Sequence, residues 1–139
     1  LFIAVMNGAF LFAADVMRKI TIPNSEISFI KLSSYSGTET TGKVNELIGI
    51  SGNISGRNIV ILEDIIDTGI TLDKIMSLLK KENVADVKIA TLLFKPESYK
   101  SDISIDYIGK SIPNDFVVGY GLDYDEIGRN LPHIYKLKN

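Results

Sequence analysis

Three carboxylates and two threonines lie close together in the segment Glu63-Asp64-Ile65-Ile66-Asp67-Thr68-Gly69-Ile70-Thr71. A turn that leads into a helix offers free backbone N–H groups to an anion, and its glycine allows the close approach that a phosphate needs. Glu63 and Asp64 would repel a bare phosphate, so we expect them to bind a vicinal diol such as that of ribose, or a hard divalent cation. Asp67 is a candidate general base. The segment predicts a site for a sugar phosphate.

The residues on both sides of this segment predict a strand, a loop and a helix. The aliphatic run Ile59–Leu62 is typical of a strand buried on both faces of a parallel sheet. After Thr71, apolar residues recur at helical spacing over 72–79. Ligands of such units bind beyond the carboxyl end of the strand. The alternative is a solvated turn with an ordinary helix N-cap, because Asp and Thr are favoured there as well.

The rest of the chain alternates between strand and helix patterns. Further strands are predicted at 1–5, 26–32, 44–50, 87–94 and 116–120, and a helix is predicted over 9–20. Residues 33–43 are rich in Ser, Thr and Gly and predict a mobile loop. Alternation of this kind indicates one α/β domain with a parallel sheet and right-handed crossovers.

Composition excludes several classes of function. The 139 residues carry a net charge of −2 and form no basic patch for nucleic acid. Cysteine is absent, which excludes disulfides, thiolate catalysis and cysteine-ligated zinc, and the single His133 cannot form a histidine metal site. No apolar run approaches the roughly 20 residues that cross a bilayer. We therefore expect a cytoplasmic protein.

The segment Glu63–Thr71 resembles the phosphoribosyl-diphosphate motif of type I phosphoribosyltransferases, and of the hypoxanthine-guanine branch in particular. Four further stretches resemble that family in the same order: VMNGAFLFAADVMRKI, KLSSYSGTETTGKV, LLFKPE and IPNDFVVGYGLDYDEIGRNLPHIYKL. The resemblance implies the type I phosphoribosyltransferase fold, a central, mostly parallel sheet flanked by helices, with a mobile lid loop and a small base-binding hood. It also implies a single domain over residues 1–139, with an N-terminal part of the family domain expected to be missing.

The same resemblance implies which residues bind 5-phosphoribosyl 1-diphosphate. They are Asn7 and Gly8 in a loop with a cis peptide bond between Met6 and Asn7, Ser34 and Tyr35 in the lid, Arg129, and Glu63, Asp64, Asp67, Thr68, Gly69, Ile70 and Thr71 in the central motif. Some family members have lysine at the position of Asn7, so backbone donors would have to hold the diphosphate here. Without the resemblance, these features read as an ordinary strand-to-helix turn, a disordered surface loop and an exposed arginine.

For the base and the metal, the resemblance implies a second set of residues. Lys95 would donate to the purine 6-oxo group, Phe116 would stack on the ring, Val117 would read its edge through backbone groups, and Asp123 would complete the purine site. Glu63, Asp64 and Asp123 would be the metal residues for Mg²⁺. The alternatives are a solvated lysine, plain strand core, and a turn after Gly121.

The activity implied is Mg²⁺-dependent transfer of the 5-phosphoribosyl group to N9 of hypoxanthine, and also guanine, in purine salvage. Asp67 would be the catalytic group, acting at the purine N7. Family members are dimers or tetramers, so a homodimer or homotetramer is expected, with no nucleic-acid or membrane partner. Two alternatives stay open: a regulatory RNA-binding protein that senses phosphoribosyl diphosphate, and an enzyme with another base preference, such as xanthine or uracil.

Overall fold

The fold is organised around one six-stranded sheet. The computed structural model describes residues 1–32, 46–50 and 52–138. In chain order the elements are β1 Phe2–Val5, α1 Phe10–Met17, β2 Ile27–Leu32, β3 Glu46–Ile48, β4 Asn58–Ile66, α2 Ile70–Lys81, β5 Asp86–Phe94, β6 Tyr107–Ser111, β7 Val117–Val118 and β8 Tyr135–Lys136. The sheet order is β3-β2-β1-β4-β5-β6, and only β3 runs antiparallel to its neighbour. The predicted, mostly parallel sheet with flanking helices is confirmed.

Strand β4 is longer than its aliphatic run suggested. The sequence predicted a strand over 59–62 followed by a loop, whereas the strand continues to Ile66. Glu63, Ile65 and Ile66 pair with residues of β5, so the ladder continues past the first two carboxylates. Glu63 and Asp64 are therefore strand residues, and only 67–69 form the turn before α2.

Helix α2 covers one face of the sheet and forms the main core with it. Leu72, Ile75 and Leu79 are buried at the spacing expected for one helical face. They pack with Ile61 and other aliphatic side chains of β1, β2, β4 and β5. Burial of an aliphatic side chain of this size stabilises a fold by about 1.5–3 kcal/mol. This packing fixes the helix N-terminus at the carboxyl end of β4.

Helix α1 covers the opposite face and is shorter than predicted. It ends at Met17 rather than at Ile20. The amide of Arg18 still bonds to Ala14, but that of Lys19 bonds to Val16, three residues back. Tightening of the last turn in this way is common where an α-helix ends. The core between α1 and the sheet is correspondingly small, with Ala4, Ala13 and Leu62 buried together.

The C-terminal part of the described chain forms a small separate ladder. The strand predicted at 116–120 is reduced to β7, which pairs with β8 and not with the main sheet. Tyr120 has a φ of 50° and its neighbours Gly119 and Gly121 have φ of 104° and 98°, so the chain turns away. Strand β6 was not predicted, because this exposed edge strand lacks a buried apolar pattern. No helix in the described ranges is long and apolar enough to span a membrane.

Candidate active site

Two loops meet at the carboxyl edge of the neighbouring strands β1 and β4. Ala4 is the register partner of Leu62, so β1 ends beside Glu63 and β4 continues to Ile66. The chain leaves β1 toward β2 on one side and leaves β4 toward β5 on the other. A reversal of this kind separates the two loops and creates the crevice in which open α/β sheets bind ligands. The residues 6–9 and 67–69 therefore border a natural binding site.

The turn between β4 and α2 encloses a cavity of about 100 Å³, lined by Glu63 and residues 65–72. Gly69 begins the helix with a φ of 90°, and a Cβ there would lie 2.7 Å from the Tyr99 ring. The carbonyl of Thr68 accepts a hydrogen bond of 3.1 Å from the Lys100 amide, which holds the turn. The first N–H groups of an α-helix have no intrahelical acceptor. The turn is therefore suited to an anion of phosphate size.

Glu63 and Asp64 are buried, although both carry carboxyl groups. They line a second cavity of about 260 Å³ together with Gly8, Thr71 and Lys74. Burial raises the pKa of Glu63 well above its ordinary value, and the adjacent Asp64 raises it further. Burial also raises the pKa of Asp64, and the positive charge of Arg129 acts in the opposite direction. The alternative of solvated turn residues is wrong for this pair.

The loop after β1 packs directly against Asp64. A Cβ atom at Gly8 would overlap the Asp64 carboxylate, so only glycine fits this contact. The peptide bond between Met6 and Asn7 is cis, as the resemblance implied. The Ala9 amide donates to the Val5 carbonyl over 3.1 Å and closes the loop. The backbone of the loop, and not a lysine, thus borders the carboxylate pair.

The segment that follows β7 closes onto the same loop. Gly121 packs on the carbonyl of Gly8, where a side chain would overlap it. The Tyr120 hydroxyl donates to the Asp15 carboxylate on α1, and burial, with this hydrogen bond, raises the pKa of Tyr120 to about 12. These contacts fix the segment over the carboxyl edge of β1.

Arg129 and Asp123 form an ion pair in this segment. Nη2 of Arg129 lies 2.9 Å from Oδ1 of Asp123, and Nη1 donates to the Gly121 carbonyl over 2.9 Å. The Arg129 side chain is only 20% exposed, so it is not the free surface arginine of the alternative interpretation. Asp123 also accepts a 2.8 Å hydrogen bond from the Glu126 amide, three residues further along the chain. This hydrogen bond stabilises the turn between the two residues. Both residues are held beside the predicted diphosphate loop.

Lys95 and Asp67 form a second ion pair at the carboxyl edge. Nζ of Lys95 lies 2.9 Å from Oδ2 of Asp67, and the lysine side chain is 9% exposed. A buried ammonium group needs such a partner. The alternative of a solvated lysine is therefore wrong, and the predicted base-reading residue contacts the predicted general base.

The predicted aromatic platform lies at the surface. Phe116 is 54% exposed and meets Tyr124 edge to face, with ring centroids 5.8 Å apart. The alternative of buried strand core does not hold for Phe116. Val117 is half-buried in β7. An exposed aromatic ring can stack on a planar ligand.

The carboxylates do not form a complete metal cage. Among the described residues, no three His, Cys, Asp or Glu side chains converge closely enough to hold an ion. Glu63 and Asp64 are adjacent, while Asp123 is paired with Arg129. Mg²⁺ is commonly held by one or two carboxylates together with substrate phosphates and water, so the pair fits that ion.

Two expected lid residues, Ser34 and Tyr35, lie outside the described residues. Three residues around the site were not singled out from the sequence: Tyr120, Gly121 and Lys74. The pattern Gly119-Tyr120-Gly121 was a usable signal, since paired glycines mark a turn with unusual φ. Lys74 follows Thr71 by one helical turn and so shares its face.

The chain is similar to proteins of known family. Residues 1–125 match the phosphoribosyl transferase domain model. A hypoxanthine-guanine phosphoribosyltransferase of Staphylococcus epidermidis is 46% identical over 137 residues, which are 98% of this chain and 76% of that protein. A solved hypoxanthine-guanine phosphoribosyltransferase of Bacillus anthracis is 46% identical with a TM-score of 0.89, over 99% of this chain and 81% of the other.

A solved hypoxanthine phosphoribosyltransferase of Staphylococcus aureus is 42% identical with a TM-score of 0.86, and the alignment covers 99% of this chain and 74% of that one. These alignments cover 98–99% of the chain, so they include both loops and nearly all of the C-terminal segment. The resemblance inferred from the sequence is confirmed: the chain belongs to the phosphoribosyltransferase family.

Proposed function

We propose that the chain is a purine-salvage enzyme. It transfers the 5-phosphoribosyl group of 5-phosphoribosyl 1-diphosphate to N9 of hypoxanthine or guanine, giving IMP or GMP and diphosphate. The observation that carries this proposal is the contact of 2.9 Å between Lys95 and Asp67, beside the anion-binding turn. O6 and N7 lie side by side on one edge of a 6-oxopurine. An ammonium donor next to a carboxylate acceptor matches that edge.

The donor sugar would occupy the crevice between the two loops. Its 5′-phosphate would bind the turn formed by Asp67, Thr68, Gly69, Ile70 and Thr71, which has a cavity of suitable size. Glu63 and Asp64 would accept hydrogen bonds from the ribose hydroxyls, which are donors that a buried carboxylate needs.

The diphosphate would lie on the opposite side of the sugar. Backbone groups of Asn7 and Gly8 would contact it, and Arg129 would supply a positive charge once it exchanges Asp123 for the ligand. We assign Ser34 and Tyr35 to the same end, as the family motif implies.

Asp67 would accept a hydrogen bond from N7–H of the base and so make N9 more nucleophilic. The bond between the sugar C1 and the diphosphate oxygen breaks as the bond to N9 forms; the electron pair leaves with diphosphate, and the N7 proton passes to Asp67. Lys95 would hold O6, Phe116 would stack on the ring, Val117 would contact its edge through backbone atoms, and Asp123 would lie beside it. Asp67 thus acts on a base whose orientation is already set.

We propose Mg²⁺ as the cofactor, with Glu63 and Asp64 as its protein ligands and Asp123 as a further ligand after release from Arg129. When bound, the ion neutralises charge on the diphosphate leaving group. The two buried carboxylates support this assignment because their high cost of ionisation is offset by a cation.

We further propose that residues 1–139 form one domain, that the enzyme is a homodimer or homotetramer, and that it works in the cytoplasm. The absence of cysteine fits a reducing compartment. The net charge of −2 gives no support to the regulatory RNA-binding alternative. A preference for xanthine is the second candidate. Hypoxanthine, guanine and xanthine differ at one exocyclic position of the ring, and few protein atoms would contact that position.

The test is nucleotide formation from 5-phosphoribosyl 1-diphosphate and Mg²⁺, with hypoxanthine, guanine, xanthine, adenine and uracil in parallel. Turnover of hypoxanthine or guanine above the other bases supports the proposal. Preferred turnover of xanthine or uracil would replace it with that specificity. Binding of the donor without turnover of any base would identify a sensor instead.

A further inference from the structure

The larger cavity is bordered by one cationic side chain that has no role in the reaction proposed above. Lys74 borders it together with Glu63, Asp64, Gly8 and Thr71. Among the described residues that line this cavity, Lys74 is the only Lys, Arg or His. A cavity with two buried carboxylates repels an anionic ligand unless a cation compensates. The position of Lys74 therefore bears directly on which ligand can enter.

Helix α2 places Lys74 at the border of the cavity. Lys74 lies one turn after Thr71, so both occupy the same helical face at the edge of the crevice. The side chain is half-buried, whereas Lys80 and Lys81 in the last turn of the helix are exposed. Half-burial of a lysine is common where the aliphatic stem packs on the protein and the ammonium group reaches a polar site.

The neighbouring charges do not engage Lys74. Asp73, the adjacent residue, accepts a 2.6 Å hydrogen bond from the Ser101 hydroxyl. Within the described part of the chain, no carboxylate lies within ion-pair distance of Lys74. Lys74 thus borders the cavity without an ion-pair partner among the residues that the structure describes.

We propose that Lys74 binds the diphosphate half of the phosphoribosyl donor, from the α2 side of the cavity. This inference rests on the proposed function. The 5′-phosphate would take the smaller cavity at the turn, and Thr71 borders both cavities, so the two anionic groups of one donor can span them. Lys74 would then face the diphosphate from one side and Arg129 from the other.

The experiment measures binding of inorganic diphosphate with Mg²⁺, and separately of IMP, to the wild type and three variants by calorimetry. Lys74→Met keeps the aliphatic stem and removes the charge, while Lys74→Arg keeps the charge. Lys81→Met is the matched control, because it lies two turns further along the same helix and is exposed. IMP carries the 5′-phosphate, the ribose and the base but no diphosphate, so its binding should not depend on a residue that contacts only the diphosphate.

We expect Lys74→Met to weaken diphosphate binding about tenfold, the factor of one charge-assisted hydrogen bond. Lys74→Arg should recover most of this loss, and IMP binding should stay unchanged in all variants. Unaltered diphosphate binding in Lys74→Met, or a loss confined to IMP, overturns the assignment while leaving the proposed function intact. A wild type that forms no nucleotide and binds neither ligand overturns both.

Discussion

Nζ of Lys95 lies 2.9 Å from Oδ2 of Asp67, although the two residues are far apart in the chain. The sheet brings them together. Ile66 and Phe94 are register partners of the parallel strands β4 and β5, and Asp67 and Lys95 are the residues that follow them. The geometry of the pair therefore depends on the register of these two strands.

Replacing Asp67 with Asn should lower kcat by a factor of about 10²–10⁴, the usual contribution of a general base. The amide keeps the size of the side chain but binds a proton poorly. The KM for 5-phosphoribosyl 1-diphosphate should change much less, because in our proposal the turn binds the phosphate through backbone groups. Steady-state kinetics with hypoxanthine measures both parameters. Values of kcat and KM near those of the wild type would refute the assignment of Asp67.

Replacing Lys95 with Met should raise the KM for the base by about tenfold or more, because the proposed donor to O6 is lost. Binding of 5-phosphoribosyl 1-diphosphate should be retained, and this is the internal control. Lys110→Met removes a lysine from the exposed edge strand β6 and should leave the kinetics unchanged. A variant of Lys95 with an unaltered KM for hypoxanthine would show that another group reads the base.

The two residues should also be coupled in stability. Removing either partner leaves the other charge without its ion pair, so the double variant Asp67→Asn/Lys95→Met should be more stable than the sum of the single effects predicts. The coupling expected is about 1 kcal/mol, since Asp67 is 43% exposed and the pair is partly screened by solvent. Urea unfolding of the four proteins measures this term, and strict additivity would mean that the pair contributes nothing.

Replacing Gly8 with Ala should reduce the affinity for the phosphoribosyl donor at least about tenfold, because a Cβ there overlaps the Asp64 carboxylate and displaces the loop. The matched control is Gly56→Ala, a glycine of positive φ with open space around it. That substitution should cost stability through backbone strain but leave donor binding unchanged. In Gly8→Ala, the further change Asp64→Ala should recover thermal stability, and failure to do so would locate the overlap elsewhere.

Glu63 should make the metal-free protein less stable as pH rises. Its pKa in the folded state is raised well above the ordinary 4.5 by burial. Between 4.5 and the raised pKa, the unfolded chain has released this proton and the folded chain still holds it, so the free energy of unfolding falls with rising pH and the loss is complete above the raised pKa. Below the ordinary value, the contribution vanishes because both states are protonated.

Glu63→Gln removes this titration. In the presence of a chelator, the variant should exceed the wild type in free energy of unfolding at pH 8, and the two should converge near pH 4. Urea titrations at a series of pH values provide the measurement. The exposed Glu97→Gln is the control and should follow the wild type. A wild type whose stability relative to Glu63→Gln does not depend on pH would contradict the burial effect.

Local sequence was sufficient to predict structure where the residues of a single element determine its conformation. The aliphatic run before Glu63, the helical spacing of Leu72, Ile75 and Leu79, and the position of Gly69 between them predicted the strand, the turn and the helix. The role of Gly69 in the turn could be predicted because glycine adopts a positive φ at little steric cost, whereas other residues rarely do. The residue types of the turn also predicted a phosphate site, which stays a proposal together with the other site residues.

Sequence was insufficient where distant segments decide the outcome. Strand β6 and the short β7–β8 ladder depend on pairing partners, and an exposed edge strand has no periodic pattern of its own. The extent of β4 was underestimated because two acidic residues interrupt its apolar pattern, whereas pairing with β5 continues through Glu63. Hydrogen bonds to a neighbouring strand offset the poor strand preference of charged residues.

The sequence by itself determined the α/β class, the central strand-turn-helix unit and the membership of the family, because these depend on local patterns and on motifs in a fixed order. Only the tertiary structure decided that Lys95 contacts Asp67, that Gly8 fits against Asp64, and that Arg129 pairs with Asp123. It also decided that Lys74 borders the carboxylate cavity. The physical reason is that burial and charge pairing act between segments that strand order and register bring together, and these are properties of the whole sheet.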